Sequence, residues 1–262
     1  MNILDRIVAD KKEEVARAEG RVSREELESR IHDTPWDNRR FEQRLAKPGP
    51  LGVNIIAEVK RASPSKGDIA LDLDAVLCAW QYEAGGAAAI SVLTDEPYFK
   101  GSMEDLLQVR QAVSLPVLRK EFIVSEYQIY ETRAAGADAV LLIVRILTAG
   151  QLKAFLDLTH SLGMGALVEI YSADDYELAH QAGATLIGIN NRNLATFDTD
   201  LNTALGIVSR LKPGEIPVAA SGITSRDDIV RNLKQGIFNF LIGESLVRAD
   251  NRQDFLNQLI FG

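Results

Sequence analysis

Charged and amide side chains in this chain repeatedly follow apolar runs. Glu58 and Lys60 end the run that opens IIAEVKRASPSKG, Lys120 and Glu121 end that of PVLRKEF, Glu169 sits in ALVEI, and Asn190 and Arg192 lie in IGINNRNL. Side chains two apart on a strand point the same way, so if Ile56 faces a core, Glu58 and Lys60 face it too. Charge in such a place is unfavourable unless it is paired or employed. An ammonium and a carboxylate gathered at one rim can move protons, one as acid and the other as base. Two more segments, SGI at 221–223 and LIGES at 241–245, are rich in small residues. They expose backbone N–H groups, and a short helix opening at Glu244–Ser245 would aim its positive end at an anion. Ser63 and Ser65 are weaker donors, since SPS also reads as a turn. His32, His160 and His180 are scattered away from these positions, which leaves no Ser–His–acid triad and no metal-ligand spacing.

The elements that position these residues follow from the glycines. EAGGAAAISVLT, AAGADAVLLIV, QAGATLIGINN and KQGIFNFLIG each place a glycine where a helix would end in a left-handed cap, followed by an apolar strand. Gly86, Gly136, Gly183 and Gly236 are separated by 50, 47 and 53 residues. That is too long for one strand–helix unit, which takes roughly 25 residues, and suits two. Four further strands are predicted at 54–60, 115–122, 165–170 and 216–222. Helices are predicted between them, with Ser125 and Thr148 as N-caps. Eight apolar strands alternating with helices predict an α/β fold, the (β/α)8 TIM barrel. A doubly wound open sheet is the runner-up, and no Gly-rich dinucleotide fingerprint supports it. Residues 1–50 contain helical stretches at 2–19 and 24–31 and end in the linker KPGP. They are expected to pack on the barrel as an amino-terminal extension, making residues 1–262 one domain.

Composition bounds the function. The chain has 262 residues, 46% of them hydrophobic and 25% charged, with a net charge of −8. An acidic chain without a basic cluster argues against a nucleic-acid partner, while a local cationic pocket for a small anion stays compatible with it. The single Cys78 excludes an internal disulfide and fits a reducing compartment. No apolar run reaches membrane-spanning length, and MNILDRIVADKKEEV has no signal-peptide core, so a cytoplasmic location is expected.

Taken together, IIAEVKRASPSKG, ISVLTDEPYFKGS, PVLRKEFIVSEYQIYE, ALVEI, IGINNRNL and LIGESLV resemble the indole-3-glycerol phosphate synthases. The resemblance runs from ILDRIVADKKEEV almost to the end of the chain. It implies a TIM barrel with an extra amino-terminal helical segment and a lyase of tryptophan biosynthesis that needs no cofactor and no metal. The implied substrate is a small phosphosugar, 1-(2-carboxyphenylamino)-1-deoxyribulose 5-phosphate, converted to indole glycerol phosphate, CO2 and water. It implies Lys120 as the acid for ring closure and Lys60 as a second cation. Glu58 and Glu169 become the candidate bases, and Asn190 and Ser221 polar positioners. Arg192 would hold the anthranilate carboxylate. Ser63, Gly222, Gly243 and Ser245 fall at the phosphate positions, and Phe99, Phe122, Leu141 and Leu194 at the aromatic-ring pocket. A monomer is compatible with the sequence, and no fused isomerase domain is expected after residue 262.

In one place the chain departs from the family, which usually carries Glu before SGI where this sequence has Ala220. If that position faces the site, Lys120 or Lys60 lacks a charge partner, and the acid is expected to lose its proton at a lower pH. Two other readings remain open on the sequence. One is another phosphosugar barrel enzyme, an isomerase or a Schiff-base aldolase using Lys60 or Lys120. The other is a phosphate-metabolite binding protein, against which the retention of both lysines and both glutamates argues.

Overall fold

The computed structural model describes residues 3–49, 52–192 and 199–262. Eight parallel strands form a closed barrel: β1 Asn54–Val59, β2 Ala89–Leu93, β3 Val117–Lys120, β4 Ala139–Ile143, β5 Gly165–Ile170, β6 Leu186–Asn190, β7 Ile216–Ala220 and β8 Asn239–Ile242. Each strand pairs with its neighbours in sequence, and β1 closes the ring by pairing with β8 as well as β2, Ile56 opposite Leu241 and Ala57 opposite Ile90. That pairing removes the edges an open sheet would have. The four glycine caps lie where the spacing predicts them, with φ of 87°, 79°, 85° and 83° at Gly86, Gly136, Gly183 and Gly236. Ser125 and Thr148 both cap helices, each with a glutamine three residues on completing a capping box.

Strand parity divides the apolar residues into two sets. Ile56, Leu118, Leu141, Leu167, Val218 and Leu241 fill the barrel. Ile55, Val140, Leu142, Val168, Ile187 and Phe240 point outward beneath the helices. Both faces of the strands are buried, so what a one-residue slip would misplace is charge: it would turn Glu58 or Glu169 from the rim to beneath the helices, where an unpaired carboxylate is unfavourable. The register therefore fixes which side chains appear at the carboxyl rim.

Three helices precede the barrel: α1 Ile3–Glu19, α2 Arg24–Asp33 and α3 Phe41–Leu45. The short α3 is absent from the sequence prediction. It buries Phe41 and Leu45 with the inward set at the amino ends of the strands, and Glu42 accepts a hydrogen bond from the Ala166 N–H at 2.9 Å. Leu27 of α2 packs with Val15, Tyr127 and Tyr130 outside the barrel. At the carboxyl end, α1 lays Ile3, Leu4 and Ile7 over the barrel mouth. Strands β3 and β7 stop at Lys120 and Ala220, short of the predicted 122 and 222, because the chain turns there into the rim loops. Ser221 and Gly222 both take left-handed φ, 67° and 80°.

Candidate active site

On β1 the alternation that puts Ile56 inside carries Glu58 to the rim, and Lys60 follows one step beyond the strand end. The same parity on β3, β5 and β6 delivers Lys120, Glu169 and Asn190 to one cavity. Lys60 Nζ lies 2.9 Å from Glu58 Oε1. Lys120 Nζ lies 3.8 Å from Glu58 Oε2 and 3.8 Å from Glu169 Oε2. Glu58 is thus shared between two lysines and also accepts from Ser91 Oγ at 3.5 Å. Burial pushes the Glu58 carboxyl up, but Lys60 and Lys120 outweigh it and hold the group below the usual glutamate value. Burial would likewise depress the Lys120 ammonium. Glu169 and Glu58 overcome that and hold it above the ordinary lysine value.

Ala220 does point into this cavity. The expected consequence, an acid that titrates low, does not follow, because Glu58 and Glu169 already supply the negative charge around Lys120. Glu121, by contrast, is spent elsewhere. Its carboxylate receives Thr94 Oγ1 at 2.7 Å, the Phe122 N–H at 2.8 Å and the ammonium of Lys11 at 3.1 Å. Lys11, on α1, is 2% exposed and also lies 3.1 Å from Asp95 and 2.8 Å from Glu14. Buried carboxylates left without this cation would be costly, so the cluster fastens α1 across the loops after β2 and β3. A bond from the Tyr98 hydroxyl to Asp10 fastens it a second time.

The cleft has two compartments that share Glu58, Lys60, Arg192, Ser221 and Leu241. The inner compartment is mostly apolar. Phe99, Phe122 and Leu141 line it, with ring centroids of Phe99 and Phe122 6.0 Å apart, and Ile3, Leu4 and Ile7 of α1 complete its wall. Leu194 lies outside the described residues. The outer compartment is walled by Gly222, Gly243 and Ser245. Ser245 Oγ donates to the Ile223 carbonyl at 3.0 Å and so ties the two glycine loops together. Ser63 opens on the inner compartment rather than this one, while Lys66 and Arg248 face the outer. SPS is indeed a turn, joining a two-residue antiparallel hairpin of Ala62–Ser63 with Gly67–Asp68. It also receives Arg192, whose guanidinium donates to Ser65 Oγ at 2.8 Å and lies 3.4 Å from Glu244.

Several lining residues are not evident from the sequence: Ile3, Leu4 and Ile7, Lys66, Arg248 and Tyr171. A signal exists for Tyr171, because it stands two residues after Glu169 just as Lys60 stands two after Glu58. For α1 there is none, since its place over the cavity depends on tertiary packing. His160 and His180 lie on outer helices beside Glu42 and Glu215, away from the cleft, as expected. Among the described residues, no group of three or more His, Cys, Asp or Glu is arranged to hold a metal ion. Among the same residues, no helix is long and apolar enough to cross a membrane.

Comparison with known proteins gives these residues their setting. Among solved structures, a thiamine phosphate pyrophosphorylase from Pyrococcus furiosus superposes with a TM-score of 0.60 at 17% identity, over 84% of this chain and 100% of that one, a likeness of fold alone. The indole-3-glycerol phosphate synthase of Desulfosudis oleivorans is 57% identical over 260 residues, covering 99% of this chain and 98% of the relative. That of Syntrophobacter fumaroxidans is 49% identical over 258 residues, covering 98% and 97%. The family description of indole-3-glycerol phosphate synthase matches residues 4–259. The chain therefore belongs to the indole-3-glycerol phosphate synthase family, carboxy-lyases of tryptophan biosynthesis.

Proposed function

We propose that the cleft carries out ring closure, decarboxylation and dehydration of 1-(2-carboxyphenylamino)-1-deoxyribulose 5-phosphate with Lys120 as acid and Glu169 as base. The observation that carries this assignment is the Lys120 ammonium standing 3.8 Å from both Glu58 and Glu169, between an apolar compartment and a glycine-walled one. The phenyl ring fits the apolar compartment, against Phe99, Phe122 and Leu141. Its carboxylate is then within the sphere of Arg192, and the phosphate reaches the backbone around Gly222, Gly243 and Ser245. Held at both ends, the substrate brings its ring carbon and its carbonyl together, which lowers the entropic part of the barrier.

As the ring carbon bearing the carboxylate attacks the carbonyl, the carbonyl oxygen takes a proton from Lys120. Loss of CO2 returns its bonding electrons to the ring. The new hydroxyl leaves as water with a proton from Lys60 or Lys120, and the resulting iminium releases a ring proton to a carboxylate. Glu58 is engaged by two ammonium groups and a serine and serves best as their fixed counter-charge. Glu169 keeps one oxygen toward Lys120 and is the base. Asn190 and Ser221 position the sugar portion. In this reading residues 1–262 act as one unit, because α1 helps to wall the site, and the protein works in the cytoplasm. The direct test is to incubate the purified chain with the carboxyphenylamino substrate and follow indole fluorescence. Borohydride trapping of substrate on Lys60 or Lys120, without indole product, would favour an aldolase instead.

Ala220 allows a sharper test. Because Glu169 and Glu58 hold the Lys120 ammonium above the ordinary lysine value, no loss of kcat/KM from deprotonation of this group is expected at neutral or mildly alkaline pH. A glutamate at 220 would join Glu58 in a buried site and compete for the same cations. Ala220→Glu should therefore leave the alkaline limb in place and should not raise kcat. A profile in which the native chain loses activity near pH 8–9 and the variant regains it would show that the carboxylate at 220 is needed.

A further inference from the structure

Tyr171 has no part in the chemistry above, yet it touches the base. Its hydroxyl donates to Glu169 Oε1, the oxygen turned away from Lys120, and receives the Asn190 amide at 3.5 Å. The rest of the residue is pinned. Its backbone N–H donates to Asp175 at 2.8 Å, the Arg145 guanidinium lies 4.8 Å from the ring centroid, and Arg145 donates to the same Asp175 oxygen at 2.9 Å. The ring packs in the inward apolar cluster with Ile7 and Phe122.

We propose that Tyr171 is a positioning residue for the base: its hydroxyl locks one oxygen of Glu169 and thereby aims the other at Lys120 and the reacting ring. A glutamate side chain has rotamer freedom that must be lost before it can take a proton from one carbon, and a rigid phenol removes that freedom in advance. Asn190, Tyr171, Glu169 and Lys120 then form one hydrogen-bonded and ion-paired row across the rim. Burial and the neighbouring Glu169 carboxylate push the phenol far above its ordinary value, so it remains a donor whatever the state of Asp175 and Arg145 beside it.

The proposal rests on Glu169 as base, and the test separates the two. Tyr171→Phe keeps the ring and its packing and removes only the hydroxyl. A hydrogen bond to a charged group is worth enough that kcat should fall about tenfold to a hundredfold, with KM changed by about twofold or less. In a Glu169→Gln background the same substitution should add little, since its effect passes through the carboxylate. If Tyr171→Phe matches wild type while Glu169→Gln is slow, or if the loss is equal in both backgrounds, Tyr171 does not position Glu169. If Glu169→Gln itself turns over like wild type, the base assignment falls and this role falls with it.

Discussion

Lys120→Met lowers kcat by about 10²–10⁴-fold, the usual contribution of one general acid, and leaves the barrel folded. Methionine keeps the approximate length and volume of the side chain and removes only the ammonium. Breaking a tight buried ion pair typically costs about 3–5 kcal/mol, but the two ion pairs that Lys120 makes are long, at 3.8 Å each. Glu58 keeps Lys60 at 2.9 Å, and Glu169 keeps the Tyr171 hydroxyl. The stability loss should therefore fall at or below the low end of that range. Glu169→Gln belongs to the same prediction, since it keeps the acceptor geometry and removes the base. Single-turnover fluorescence gives the chemical step, and a urea midpoint gives the fold. Wild-type turnover in Lys120→Met would move the acid role to Lys60, an ammonium that both compartments share.

Most of this geometry is legible in the sequence because it obeys two periodicities. The glycine interval of about 50 residues counts the strands, and the two-residue alternation along a strand decides which side chains reach the rim. Glu58, Lys60, Lys120, Glu169 and Asn190 follow from those rules, and they do converge. Position at the end of an apolar run is a weaker guide than parity. Glu121 ends the same apolar run as Lys120, yet as its immediate neighbour it faces the other way, and its carboxylate is engaged by Lys11 instead. Tyr171 satisfies the same rule as Lys60 but is not ionised at neutral pH, so a search for charges passes over it. The roof of the apolar compartment is beyond reach for another reason. Ile3, Leu4 and Ile7 belong to a helix whose amphipathic pattern shows that one face is buried without showing against what. Lys11 sits in a run, DKKEEV, that reads as a solvated face, and only the meeting of Asp95 and Glu121 in space makes it a buried clasp.

Gly243→Val tests the outer compartment, and its outcome differs from what the sequence implies. From LIGES alone, a branched side chain at 243 should block the phosphate and raise KM without touching the chemistry. The structure joins the two effects. Gly243 has φ −126°, outside the left-handed region that favours glycine. A Cβ there would stand 2.6 Å from Glu58 Oε1 and 3.1 Å from Lys60 Nζ. The carboxylate oxygen and the ammonium end flexible side chains and can yield, while Glu58 Cβ, also 3.1 Å away, is held by β1, so the Glu58–Lys60 pair must open or shift. Lys120 shares Glu58 with that pair and would feel the movement. Misplacing reacting groups by about 1 Å costs on the order of 10²-fold, and obstructing the anion adds to it. We expect kcat/KM to fall by about 10²-fold or more, with kcat and KM both affected and the unfolding midpoint nearly kept. Inhibition by inorganic phosphate, measured alongside, isolates the binding part and should weaken in the variant. A rise in KM with kcat intact would show that the Glu58–Lys60 pair takes no part in turnover. Unchanged kinetics together with unchanged phosphate inhibition would place the phosphate away from these loops.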